Sequence, residues 1–234
     1  EYLNFLDAVM PDAMRIHEDT PNIFCIQPLL KGAGLEDASK VAGIIDSSPY
    51  SAEGSFYSAR QPHLTIEGDS IQAYFDEDGY LTFQCKSQGV YSSIGRIGNS
   101  IGMPKDKLRV VMNPTGASFG WSTNAGDLCL AGAAAMVMKA PVSLSMSYEE
   151  HQHFSGKRCP CHSNGRAACD ENGKITAVEF DFGMDHGAYS WGGDDIVTKQ
   201  PRFAFFPYYV PHAAGLSRIA NTNHNYGTAY RSYG

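Results

Sequence analysis

Charge is scarce in this sequence. Only 18% of its 234 residues are Asp, Glu, Lys or Arg, against about 25% in an ordinary soluble domain. The 25 acidic and 18 basic side chains leave a net charge of −7. There is no block of Lys or Arg, which excludes a binder that tracks nucleic-acid phosphates. Long apolar runs are missing too: the longest, Leu128 to Met138, is about half of what a bilayer span needs. The opening Glu-Tyr-Leu-Asn-Phe-Leu-Asp-Ala lacks the basic stretch of a secretory signal. Cysteine is sparse and scattered (25, 85, 129, 159, 161 and 169), in a chain long enough to bury a core without staples. These residues read as reduced thiols of a cytoplasmic protein.

What is present is glycine, at 24 residues, and aromatic side chains, at 12%. With low charge, they describe a globular chain with long ordered loops rather than a disordered one. Glu1 opens in mid-pattern, and the chain stops at Tyr233-Gly234 just after an aromatic-rich stretch. That reads as a portion of a larger subunit.

The fold class reads as α+β, mixed sheets with a few packed helices. Residues 1–34 hold three prolines and no sustained period and read as an extended arm before a domain over 35–234. A short helix is expected over 35–43. Strands are expected at Ser55–Ala59, Ile71–Phe75, Leu81–Lys86, a buried Leu108–Met112, and Val142–Ser147. Asp76-Glu77-Asp78-Gly79 and Asp170-Glu171-Asn172-Gly173 mark hairpin turns, where Gly tolerates positive φ. Tyr91–Ile101 reads as a weak helix. Ala125–Lys139 is the clearest helix, with Asn124 as its N-cap and Asp127 in its positive first turn. It is apolar on every face, the mark of a helix buried in a large protein. Ser147-Tyr-Glu-Glu150 is a capping signature for another helix. Gly183–Tyr209 shows little period and reads as loop or binding surface.

Four constellations have chemistry in them. Asn113-Pro-Thr-Gly116-Ala-Ser118-Phe119-Gly120 follows a strand and precedes the small-residue helix, so its backbone N–H groups could meet a ligand closely. It has neither phosphate-loop nor dinucleotide spacing, and an ordinary strand–helix connection is the plainer reading. His151, His153, Cys159, Cys161 and His162 offer zinc ligands at irregular spacing, or simply a surface segment with reduced thiols. In Gln61-Pro-His63-Leu-Thr65-Ile-Glu67, an extended backbone would put the four polar residues on one face, as a polar site or a buried hydrogen-bond network. Arg231, between Tyr230 and Tyr233, can fork onto a phosphate or carboxylate, or form a surface cation–π pair.

In their order these segments resemble the molybdopterin-binding large subunit of the molybdenum hydroxylases, the xanthine dehydrogenase and aldehyde oxidoreductase family. The likeness runs from about His17 to the last residue. It rests on Gln61-x-His63-x3-Glu67, Asn113-Pro-Thr-Gly116-x-Ser118-Phe119-Gly120, Gly156-Lys157-Arg158, Asp185-His-Gly-Ala-Tyr189 and Ala229-Tyr-Arg231-Ser-Tyr-Gly234.

The resemblance implies molybdopterin with molybdenum, in its cytosine dinucleotide form. Iron–sulfur clusters, and optionally FAD, would lie on partner domains or subunits. The implied reaction is hydroxylation of an aldehyde or N-heterocycle, xanthine- or purine-like, with water as the oxygen source and electrons passed to the iron–sulfur clusters. Gln61 would hydrogen-bond an oxygen ligand of the metal, and no residue here would ligate the metal directly. Gly116, Ser118, Phe119 and Gly120 would form the cofactor loop. Arg231 would hold the pterin and border the substrate, with Trp121 and Tyr233 walling the pocket. The family's general base, a Glu in a downstream Gly-x-Gly-Glu, is not in this sequence, so a remaining molybdopterin-binding segment would supply it. The alternative is a non-catalytic scaffold piece of a split or degenerate subunit.

Overall fold

The computed structural model describes residues 3–190 and 192–232. The chain forms two compact units: residues 3–61, 157–228 and 232 build the first, and 62–156 with 229–231 the second.

The first unit is built on a five-stranded sheet in the order β1-β9-β8-β7-β2. Its strands are β1 (Ile23–Lys31), β2 (Tyr50–Ser58), β7 (Cys161–Cys169), β8 (Ile175–Gly187) and β9 (His212–Asn221). β7 and β8 make the expected hairpin, with Gly173 donating to the Asp170 carbonyl across the turn. β8 and β9 run parallel. Helix α1 (Phe5–Ala8) and strand β1 both lie within the stretch read as an arm. Helix α2 (Ala38–Ser47) buries Val41 and Ile45 against Ala168, Ala177 and Ala214.

The stretch Gly183–Tyr209, read as loop, holds instead the end of β8 and a helix, α6 (Gly193–Phe203). Pro201 inside the helix and the glycines before it hide the period. Ile196, Val197 and Gln200 are its buried side, and Asp194 and Asp195 fill its first turn, where the helix dipole favours anions. α6 packs Ile196 and Val197 on Met184 and Ile219 of the sheet.

The second unit has a four-stranded sheet in the order β5-β4-β3-β6. β3 (Ser70–Phe75) and β4 (Leu81–Cys85) form the other expected hairpin. Helix α3 (Val90–Ile101) follows, and β5 (Leu108–Met112) returns parallel to β4. β5 is not buried as expected: only Leu108 is, because β5 is an edge strand with one neighbour. Helix α4 (Gly126–Met138) buries Leu128, Ala131 and Ala135, while Leu130, Val137 and Met138 stay exposed on this chain, so its burial is one-sided here. Its cap position is Ala125 rather than Asn124, although the Asn124 Oδ1 still accepts from Gly126 N–H. Phe83, fully buried in this core, alone contributes about 1.5–3 kcal/mol of apolar transfer. β6 (Val142–Ser145) and α5 (Tyr148–Phe154) complete the unit, with the Ser147/Glu150 capping box present as read.

Candidate functional site

β5 delivers the chain to Asn113, whose N–H donates to the Cys85 carbonyl at 2.8 Å. Pro114 to Gly116 are exposed, and Ser118 turns inward. The Ser118 Oγ accepts from Ser122 N–H at 2.7 Å, so its hydroxyl is engaged within the loop. The Trp121 N–H closes a turn on the Ser118 carbonyl at 3.1 Å. Both central residues are left-handed, Phe119 at φ +50° and Gly120 at φ +110°, the sense of a type I′ turn. Glycine is the residue for such a position, whereas Phe119 carries a Cβ there at a cost of about 1–2 kcal/mol.

That turn is fastened on the segment 229–231. A Cβ on Gly120 would stand 2.5 Å from the Ala229 carbonyl oxygen, so only glycine fits. The Arg231 N–H donates to the Phe119 carbonyl at 2.9 Å, and the Arg231 side chain is exposed. The Ala229 carbonyl accepts from His63 Nε2 at 2.9 Å. Burial holds the His63 pKa down, so a neutral imidazole makes that bond. The Tyr230 ring stacks on Phe119 and lies 4.7 Å from the His63 ring. The N–H groups of Phe119 and Gly120 have no acceptor among the described residues.

The stretch 61–67 is not a strand. Leu64 has a left-handed φ of +41°, which breaks the ladder, yet the alternation survives as burial. His63, Thr65 and Asp69 are buried and Glu67 half-buried, while Gln61 is exposed. The polar face thus becomes a buried network extended to Asp69. Lys86 follows directly on β4 and pairs with Asp69 Oδ1 at 3.0 Å, and His151 Nε2 lies 2.9 Å from Asp69 Oδ2. Sequence reasoning missed Lys86 and Asp69. Continuing the i, i+2 count past Glu67 reaches Asp69, but nothing local marks Lys86 as its partner. Asp127 lies near this network, and burial together with Asp69 pushes its carboxyl up to about 6. Desolvation therefore outweighs the helix dipole invoked for it.

The remaining predicted residues distribute as follows. Gly116, Ser118, Phe119, Gly120, Trp121 and Arg231 all lie in the second unit. Trp121 is 3% exposed, its ring against those of His63 and His151. Gln61 belongs to the first unit, its carbonyl accepting from Arg158 N–H at 2.9 Å. Tyr233 lies outside the described residues. Among the described residues no group of three or more His, Cys, Asp or Glu could hold a metal ion, so the zinc reading of the 151–162 segment fails. Cys159 instead faces His186 Nδ1 at 3.1 Å.

In the first unit, the Asp185-His186-Gly187 motif carries a second polar network. Asp185 is 1% exposed and accepts from the Thr222 hydroxyl and from His224 Nε2, the latter at 2.6 Å. His224 Nδ1 meets the Arg60 guanidinium, which also donates to the Asn225 carbonyl at 2.8 Å. Burial drives the Cys159 thiol up to about 12 and the His186 imidazole down to about 4. Both are therefore neutral.

A model of the molybdopterin cofactor-binding domain matches residues 16–234. The chain is 37% identical over 233 residues to the aldehyde oxidoreductase of Megalodesulfovibrio gigas, covering 100% of this chain and 25% of that protein. It is 28% identical over 227 residues to the nicotinate dehydrogenase large molybdopterin subunit of Eubacterium barkeri, covering 97% of this chain and 52% of that one. The solved aldehyde oxidoreductase from Desulfovibrio gigas matches with a TM-score of 0.87 at 37% identity, over 100% of this chain and 25% of its own. CO dehydrogenase from Oligotropha carboxidovorans shares the fold, with a TM-score of 0.79 at 20% identity over 98% of this chain and 30% of its own. The chain thus spans about a quarter of the first of these curated relatives and about half of the second. By the reach of the family match and the loop it contains, this chain belongs to the molybdopterin cofactor-binding domain family.

Proposed function

We propose that this chain is the molybdopterin-holding portion of a molybdenum hydroxylase acting on an aldehyde or an N-heterocycle, with water as the oxygen source. The carrying observation is the Phe119–Gly120 turn, whose two amide N–H groups have no acceptor among the described residues, beside an Arg231 tied to it by its own backbone. Paired amides with a cation suit an oxygen-rich, anionic cofactor. The donor set therefore fits the group. When bound, the cofactor supplies two-electron redox chemistry and the activation of water.

The chain's own residues bind and orient. The Phe119 and Gly120 amides donate to the cofactor, and Gly116 and Ser118 shape the loop that presents them. Arg231 balances the cofactor's negative charge and borders the substrate. Gln61 donates a hydrogen bond to an oxygen of the cofactor, and Trp121 and Tyr233 limit the substrate pocket. The reading includes the cytosine dinucleotide form of the pterin, a cytoplasmic location, and partners: the remaining molybdopterin-binding segment, an iron–sulfur domain or subunit, and an optional flavin subunit. Higher identity to an aldehyde oxidoreductase than to a nicotinate dehydrogenase subunit favours aldehydes as substrates.

Elemental analysis of the purified full-length protein, with turnover of an aldehyde series and an N-heterocycle series on an artificial electron acceptor, tests this reading. Molybdenum stoichiometric with the chain and faster aldehyde oxidation are expected. Protein free of molybdenum, from a host that loads such cofactors, would sink it.

A further inference from the structure

Lys86 is the best-satisfied buried cation in the second unit, and nothing in the proposed chemistry uses it. Its side chain is 6% exposed. An ammonium has three N–H donors, and all three find acceptors: Asp69 Oδ1 at 3.0 Å, the Glu67 carbonyl at 2.9 Å and the Ala117 carbonyl at 3.0 Å. The Ala117 N–H donates in turn to the Glu67 carboxylate, Oε2, at 2.6 Å. Both backbone polar groups of Ala117, two positions before Phe119, are therefore held by side chains from outside the loop.

The loop is cut to receive this grip. A Cβ on Gly116 would stand 2.8 Å from Glu67 Oε2, so the absence of a side chain there lets the carboxylate reach Ala117. The other carboxylate oxygen of Asp69, Oδ2, lies 2.9 Å from His151 Nε2. Downstream, Phe119 sits at φ +50°, a conformation that persists only where the surroundings over-determine it. On the other side, the Arg231 N–H holds the Phe119 carbonyl at 2.9 Å. The turn is thus secured at both ends, and Lys86 is the charge that closes the upstream one.

We infer that Lys86 is a positioning residue that acts through Ala117 to aim the Phe119 and Gly120 amides; this rests on the reading of that turn as the cofactor loop. A buried ion pair is weak evidence for added stability, whereas three directed hydrogen bonds to fixed acceptors specify a geometry. The expected signature is a loosened loop in a stable fold.

The test is hydrogen exchange of residues 115–123 in the full-length protein, with α4 as internal reference and molybdenum content measured on the same samples. In Lys86→Met the loop amides should exchange about tenfold faster, the equivalent of one lost charged hydrogen bond, with α4 unchanged and molybdenum content lowered. Lys86→Met leaves Asp69 without its cation, so Lys86→Met/Asp69→Asn removes that penalty and decides the matter if the single variant fails to fold. Native loop exchange in the double variant overturns the inference, and so does a loosened loop that keeps its full molybdenum. Failure of the cofactor-loop reading looks different: Gly120→Ala, which distorts the turn itself, would then retain molybdenum whatever Lys86 does.

Discussion

Each unit buries a carboxylate, Asp185 in the first and Asp69 in the second, but surrounds it with different partners. In the first, Asp185 is surrounded by Thr222 and His224, and the neighbouring Cys159 and His186 are driven neutral by burial. In the second, Lys86 and Asp69 remain an ion pair, with His151 on the second carboxylate oxygen. Removing a partner from a buried network leaves an unsatisfied group at full desolvation cost, which makes such networks matter for stability. Breaking the Lys86–Asp69 pair by removing one partner carries a penalty of the same kind, but Lys86 also donates to the Glu67 and Ala117 carbonyls, so the pair adds direction to the loop. The contrast assigns stability to the Asp185 network and loop geometry to the Lys86 grip.

Four outcomes bear on this contrast. The largest is expected at the loop, where Gly120→Ala combines a clash with Ala229 and an unfavourable φ, a cost of about 3–4 kcal/mol. Near-complete loss of molybdenum by elemental analysis is expected, and normal content would deny the turn its role. Next, Asp185→Ala strands the Thr222 hydroxyl and the His224 N–H, and should lower stability by about 3 kcal/mol in a denaturant titration. An unchanged midpoint would erase the difference between the units.

Arg231→Ala should weaken cofactor retention by about 1.5–3 kcal/mol for a lost charged hydrogen bond, read as cofactor released on dilution. The last effect concerns pH. The Asp127 carboxyl is raised to about 6, so the folded state binds the proton more tightly than the unfolded state. Stability from this group is full below its ordinary 3.8 and is lost as pH rises through 6. Asp127→Asn should nearly match the parent near pH 4 and exceed it increasingly as pH rises through 6. His186 works in the other direction: held down at about 4, it withdraws stability as pH falls from its ordinary 6.5 towards 4. Thermal melts between pH 4 and 8 would separate the two trends.

Much of the fold was legible because it rests on local signals. The turns at Asp76–Gly79 and Asp170–Gly173, the Ser147/Glu150 box and the small-residue helix each state their structure within a few residues. α6 was not legible, since Pro201 and two glycines mask a buried side made of only a few residues. β9 was missed for a different reason: as a central strand buried on much of both faces it shows little polar alternation. The stretch 61–67 kept the right burial on the wrong backbone, because alternation reports which side chains go inward and Leu64 shows that no ladder is required. Among the site residues, the sequence picked out the Phe119–Gly120 loop and Arg231, which the fold ties together through one backbone hydrogen bond. It did not pick out Lys86 or Asp69, which meet across 17 positions (86 − 69).

By itself, then, the sequence determined the class of the fold, most of its elements and the glycine-bearing loop, through periodicity, turn chemistry and ordered motifs. Only the tertiary structure decided that Gly116 makes room for Glu67, that Ala117 is held on both sides and that Asp127 is raised rather than stabilised as an anion. The physical reason is the same in each case. Burial and hydrogen-bond partnership are set by residues distant in the chain, and the free energy of a charge depends on those neighbours more than on its own sequence context.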